Sequence, residues 1–198
     1  FYSKKQRYFY LRKDLENRNY VFPQPENDGK HDLPNLKDIV RFSMEGAIDI
    51  NDDDFDVKTI PSECVLENTD NEESGNTNVH PYLRLKAKTR DQSYNGKIHH
   101  SMLSFQKRDS PIHSEIIDIR NPSKTIICTY DHQPRLYVIL KNKNGYFLRC
   151  LLPDELKQIQ GFPKDFILCG SNKDKIRQIG NAVPPPLIER IAKKLFDM

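Results

Sequence analysis

Arg149-Cys150-Leu151-Leu152-Pro153-Asp154-Glu155-Leu156-Lys157-Gln158-Ile159-Gln160-Gly161-Phe162-Pro163-Lys164-Asp165-Phe166 carries the strongest pattern in this 198-residue chain. Pro153 suits the first position of a helix, where its missing N–H is no loss, and Asp154 and Glu155 follow at the positive end of the helix dipole. Leu152, Leu156 and Ile159 share one face, and Gly161 followed by Pro163 stops the helix. A second stretch, Arg177-Gln178-Ile179-Gly180-Asn181-Ala182-Val183-Pro184-Pro185-Pro186-Leu187, leads into another helix. There Leu187, Ile188, Ile191, Ala192 and Leu195 recur at helical spacing, with Lys193 and Lys194 near the negative end. The three prolines lack backbone donors and fix how the chain enters that helix.

Upstream the period changes from helical to β. Leu136-Tyr137-Val138-Ile139-Leu140 and Tyr146-Phe147-Leu148 flank Asn142-Lys143-Asn144-Gly145, whose Asn-Gly pair predicts a hairpin turn. The β-branched and aromatic run 124–130, bounded by Asn121-Pro122, predicts a further strand. Residues 82–88 alternate apolar and basic, the pattern of a strand with one wet face.

The whole chain is close to neutral, with 31 Lys+Arg against 28 Asp+Glu, but the charge is unevenly placed. Residues 51–73 hold nine acids and one base, and with Ser74-Gly75-Asn76 they read as a solvated, poorly packed insert. Asp52-Asp53-Asp54 lacks the alternation and Gly turn of a calcium loop. Residues 82–150 are the reverse, thirteen bases against five acids, with Tyr82, Tyr94, Phe105, Tyr130, Tyr137, Tyr146 and Phe147 interleaved. Cations neutralise phosphates and flat rings stack on bases, so this is either a nucleic-acid surface or a set of strands with Lys and Arg outward.

Ten Phe and nine Tyr argue against wholesale disorder, and the length suits one or two domains. No stretch approaches the roughly 18 uncharged apolar residues of a membrane span. The N-terminus has no apolar core of a signal peptide and no initiator Met, so the chain is expected to be processed or part of something longer. Cys64, Cys128, Cys150 and Cys169 are far apart, without zinc spacing, and are expected to be reduced and mostly buried.

Taken together, residues 149–166 resemble the ninth motif block of the DNA cytosine-5 methyltransferases, and residues 177–187 resemble the tenth. The two follow in the family's order at a family-like separation. Pro122-Ser123-Lys124-Thr125-Ile126 is similar to the Thr-plus-aliphatic element closing the family's target-recognition region. Tyr8–Leu15, Phe22-Pro23-Gln24-Pro25 and Leu36–Val40 resemble the segment leaving the eighth block, with Lys5 or Arg7 at its second basic position. Residues 41–120 match nothing specific, as a variable region would. The family's Gly-containing cofactor loop, Pro-Cys nucleophile motif and Glu-Asn-Val motif do not occur here.

The resemblance implies a mixed α/β fold: the C-terminal part of an S-adenosylmethionine-dependent methyltransferase, with a small, mainly-β target-recognition lobe and helices returning to a Rossmann-like catalytic domain. Residues 1–22 would end that catalytic domain and 23–148 would be the recognition domain, with the acidic insert at 51–76. Residues 149–180 would form the ninth block and hinge, and 181–198 the returning helix. Within the family, a cysteine thiolate adds to a flipped cytosine, which makes C5 nucleophilic toward the methyl group of S-adenosyl-L-methionine.

Asn181, Ala182 and Val183 would line that cofactor, with Gly180 allowing close backbone approach. Double-stranded DNA is the implied substrate partner. Thr125 would contact its backbone with Ile126 packed beneath, and Arg149 would bond a phosphate or buttress the lobe. Arg84, Arg108, Arg120 and Arg135 are candidates for reading guanine. The second implied partner is an N-terminal catalytic portion or subunit, because no cysteine here follows a proline and no catalytic residue or metal ligand is assigned. Asp154 stands where the family commonly has Arg. A cytoplasmic, nucleoid-associated protein of restriction–modification type, from a prokaryotic or viral host, is expected. A non-catalytic DNA-binding module and an RNA cytosine methyltransferase are the other readings.

Overall fold

The computed structural model describes residues 36–50, 60–73, 115–130 and 134–196, with the backbone of four short strands between 87 and 105. In chain order the strands are β1 (Ile48–Asp49), β2 (Val65–Glu67), β3 (Ala87–Thr89), β4 (Gln92–Tyr94), β5 (Lys97–His99), β6 (Leu103–Phe105), β7 (Glu115–Ile116), β8 (Leu136–Asn142) and β9 (Gly145–Cys150). The helices are α1 (Pro153–Ile159), α2 (Asn172–Asn181) and α3 (Pro185–Phe196). The architecture is mixed α/β. Among the described residues, no helix is long and apolar enough to cross a membrane.

The Asn-Gly hairpin organises the main sheet. β8 and β9 pair antiparallel, with Asn142 opposite Gly145 and Tyr137 opposite Cys150. β1 lies antiparallel on the outer edge of β9. The other edge of β8 is shared by β7 and β2, both parallel to it. Alternation along β8 then builds two apolar layers. Leu136, Val138 and Leu140 face a core with Leu36, Val40, Ile126, Leu156, Ile176 and Ile179, whereas Tyr137 and Ile139 face Ile50, Ile60 and Cys64. Each buried Leu, Ile or Val contributes roughly 1.5–3 kcal/mol. The β3–β6 and β4–β5 pairs form two separate small ladders. They include the end of the strand predicted over 82–88; residues 82–86 lie outside the described residues.

Four expectations need correction. The run 124–130 is not a strand: both edges of β8 are already occupied, and the segment turns at Ile127–Tyr130 instead. The described part of the acidic insert is not a loose loop. Val65–Glu67 forms sheet edge, Ile60 and Cys64 are buried, and Asn142 donates to the side chain of Asn71 and the carbonyl of Glu73. Tyr130, Tyr137 and Phe147 are core residues, shut away from any nucleic acid. Finally, α2 lies in a stretch without a predicted helix. Residues 1–35, including Lys5 and Arg7, lie outside the described residues, as do 51–59 and 74–86.

Candidate functional site

Arg149 is wholly buried, and its terminal nitrogens donate to the two carboxylate oxygens of Glu155, each at 2.8 Å. The guanidinium also donates to the carbonyls of Arg41 and Cys150. Glu155 in turn accepts the backbone N–H groups of Leu152 and Arg41. Of the two roles expected for Arg149, the phosphate contact is therefore corrected: this cation has no exposed surface, and its terminal nitrogens are already matched, while its Nε has no acceptor among the described residues. It buttresses, tying the segment at Arg41 to β9 and to the start of α1. Glu155 was the missed member. Its position as the third residue of a helix opening on Pro153 is where a capping carboxylate reaches back to the N-cap, which was the available signal. Asp154 accepts from Gln158 and pairs with Lys157, so it serves the helix locally.

The Thr125 segment docks on α2. A Cβ added to Gly180 would overlap the backbone nitrogen of Cys128 and the carbonyl carbon of Ile127. What Gly180 admits at close range is this chain's own backbone, a correction to the cofactor approach expected there. Ile126 is buried in the core and Thr125 is half-buried beside it. Tyr130 closes the segment, its hydroxyl donating to the Leu136 carbonyl and accepting from the Leu151 N–H. The α2 helix itself opens with Ser171 accepting from the Asp174 N–H while Asp174 accepts from Ser171, a capping signature legible in Ser171-Asn172-Lys173-Asp174.

Asn181, Ala182 and Val183 join α2 to α3 and are clasped from the other side by the end of α1. Gln160 donates to the Ala182 carbonyl at 2.8 Å. Gly161 holds a φ of 92°, and a Cβ there would lie 2.7 Å from Cδ of Pro186. Asn181 and Val183 point outward, Val183 with 53% exposure. An exposed amide beside an exposed isopropyl group fits one wall of a pocket for a polar, partly apolar cofactor. The helix that follows buries none of its residues: Ile188, Leu195 and Phe196 are exposed.

The remaining arginines separate. Arg120 is exposed but held by Asp118 and Glu63 at 3.0 and 2.9 Å, and its hydrogen bond keeps the Asp118 carboxyl below the usual range. Arg135 is half-buried, with Nε enclosed and unpartnered. Arg84 and Arg108 lie outside the described residues. Lys141 and Lys143 are paired with Glu67 and Glu72, so part of the positive surplus of 82–150 is matched by the acidic segment.

All four cysteines are free thiols; Cys64 is buried and Cys169 is exposed. Burial pushes the Cys64 thiol up to about 11 and raises Cys150 as well. Neither is poised to become a thiolate.

A family profile described as C-5 cytosine-specific DNA methylase matches residues 4–197. The chain belongs to this family. Among the curated relatives of this C-5 methylase chain, the type II methyltransferase M.MspI of Moraxella sp is 36% identical over 72 residues, 36% of this chain and 17% of that protein. The type II methyltransferase M.SsoII of Shigella sonnei is 40% identical over 58 residues, 29% of this chain and 15% of its own. DNA (cytosine-5)-methyltransferase 3 of Arabidopsis thaliana is 51% identical over 41 residues, 21% of this chain and 3% of that protein. The aligned stretch spans less than a fifth of each of these relatives.

Proposed function

We propose that this chain is the portion of a DNA cytosine-5 methyltransferase that reads duplex DNA and completes the S-adenosylmethionine pocket. The nucleophilic cysteine would come from an N-terminal catalytic portion or subunit outside these 198 residues. The observation that carries this reading is the setting of the cysteines in a C-5 methylase: none follows a proline, and burial holds the thiols of Cys64 and Cys150 neutral.

In this reading residues 1–22 end the catalytic domain, 23–148 carry recognition, 149–180 form the hinge, and 181–198 return to the catalytic domain. Asn181, Ala182 and Val183 would hold S-adenosylmethionine, which supplies the transferable methyl group when bound. Thr125 would steady the DNA backbone around the flipped nucleotide, over the packed side chain of Ile126. The Arg149–Glu155 pair would hold β9 and α1 in register beneath that surface. Arg84, Arg108, Arg120 and Arg135 remain the proposed DNA-facing arginines, and the cytoplasm of a prokaryotic or viral host is the proposed setting.

The test is competition binding. Labelled duplex DNA should bind this chain with an affinity that falls steeply between 50 and 200 mM salt, the range over which phosphate contacts weaken. Unlabelled duplex should compete and tRNA should not. Preferential displacement by tRNA would favour an RNA methyltransferase, and no binding to either would overturn the reading.

A further inference from the structure

The α1 helix closes on its own backbone and sends one side chain elsewhere. The Phe162 N–H donates to the Lys157 carbonyl at 3.2 Å and the Gly161 N–H to the Gln158 carbonyl at 2.9 Å, with Gly161 in the left-handed region. This paired closure satisfies the last carbonyls of the helix without help from side chains. Gln160, at the C-cap, is therefore not needed by its own helix. Its Nε2 donates instead to the Ala182 carbonyl, 22 residues further on, at 2.8 Å. The amide of Gln158 behaves differently, turning back to Asp154 within α1.

The carbonyl it meets is the midpoint of the proposed cofactor wall. The Ala182 N–H donates to the carbonyls of Gln178 and Ile179 at the end of α2, so Ala182 is tied to α2 through its nitrogen and to α1 through its oxygen. Ala182 is half-buried, whereas Asn181 and Val183 on either side are exposed. Fixing Ala182 therefore fixes where those two side chains stand. The residues that follow cannot make this tie themselves: Pro184, Pro185 and Pro186 have no N–H, so a donor has to come from the α1 side. At Pro186 the end of α1 offers apolar contact through Gly161, and at Ala182 it offers the Gln160 amide.

We propose that Gln160 is a positioning residue for the cofactor: its donated hydrogen bond holds the Ala182 peptide so that Asn181 and Val183 present one preformed wall to S-adenosylmethionine. Gln160 itself does not touch the cofactor. A wall held before binding loses little freedom when the ligand arrives, so the tie acts on affinity for S-adenosylmethionine. This rests on the pocket-completing role proposed above, and the experiment separates the two.

The experiment measures equilibrium binding of labelled S-adenosylmethionine to the full chain in complex with the N-terminal portion of a C-5 methylase. The parent is compared with Gln160→Glu, Gln160→Met and Gln158→Ala. Glutamate has the shape of glutamine but cannot donate while ionised, and it regains a donor on protonation. At pH 8 both Gln160 variants should bind about fivefold more weakly than the parent, the scale of one net hydrogen bond. As the pH falls toward about 5, nearer the ordinary glutamate range, the deficit of Gln160→Glu should shrink while that of Gln160→Met stays constant. Lost packing alone would not follow the pH in this way. Gln158→Ala should stay within about twofold of the parent, as a surface substitution does. In methyl transfer by the same complexes, the loss should fall on KM for S-adenosylmethionine, with kcat and duplex-DNA affinity unchanged. Circular dichroism checks each fold. If the folded Gln160 variants bind the cofactor as the parent does, or if the Gln160→Glu deficit ignores pH, the proposal is overturned. If Gln160→Glu does not fold, Gln160→Met decides: parental affinity overturns the proposal, and a loss confined to KM supports it. A parent complex that binds no cofactor would overturn the pocket-completing role, and this proposal with it.

Discussion

The carboxylate of Glu155 receives both terminal nitrogens of Arg149 at 2.8 Å, at a point where the arginine side chain has no contact with solvent. The same carboxylate takes the N–H groups of Leu152 and Arg41, so one side chain joins a helix start, a strand and a distant loop. Removing one partner of such a pair strands the other charge in the core. Glu155→Ala is expected to cost about 3–5 kcal/mol in urea denaturation. Replacing both residues by apolar ones, as in Arg149→Met with Glu155→Leu, should cost less than Glu155→Ala alone. Equal losses would mean that the pair is not an isolated buried unit.

Gly180 makes a second prediction. A methyl group there would occupy the space of the Ile127 and Cys128 backbone, and backbone cannot swing aside as a flexible side chain does. Gly180→Ala should therefore destabilise by about 3 kcal/mol, the upper end for overpacking. It should also expose the segment around Thr125 to limited proteolysis ahead of global unfolding. Resistance equal to that of the parent would contradict the docking of that segment on α2.

The cysteines give a pH dependence with a definite sign. Burial raises the Cys64 thiol from its ordinary value near 9 to about 11, so the folded state holds its proton more tightly than the unfolded chain. The resulting stabilisation is complete below pH 9 and is lost as the pH rises from there to about 11. Urea midpoints measured across that range should fall, and Cys64→Ala should flatten the decline. At pH 8 a thiol reagent should modify exposed Cys169 first and reach Cys64 only on unfolding.

The outer face of α3 supplies a further test. Because α3 buries none of its residues, Ile188→Glu should leave the thermal transition within about 0.5 kcal/mol of the parent while raising solubility. If α3 returns to a catalytic portion, the same substitution should abolish complementation by that portion. A variant that unfolds would show instead that Ile188 is packed within this chain.

Much of this fold is legible locally. The Asn144-Gly145 turn and its flanking apolar runs specify the β8–β9 hairpin, and Pro153, Gly161 and the three prolines bracket α1 and the entry to α3. Long-range competition is not legible. Residues 124–130 have strand-like side chains, yet β7 and β2 occupy the available edge, and β2 comes from a segment whose acids suggest solvent. Charge counting misses the same long-range pairing: Glu63, Glu67 and Glu72 are brought across to three of the thirteen bases, Arg120, Lys141 and Lys143. Of the candidate site, Arg149 stands out in the sequence but its burial does not, since nothing at Arg149 itself announces a carboxylate six residues away.

The most direct measurement is methyl transfer from labelled S-adenosylmethionine to duplex DNA, with this chain alone and with the N-terminal portion of a C-5 methylase added. The account predicts no transfer above background by the chain alone, and transfer on addition of a portion bearing the Pro-Cys motif, lost again when that cysteine is replaced by alanine. Methylation of cytosine by these 198 residues unaided would contradict it.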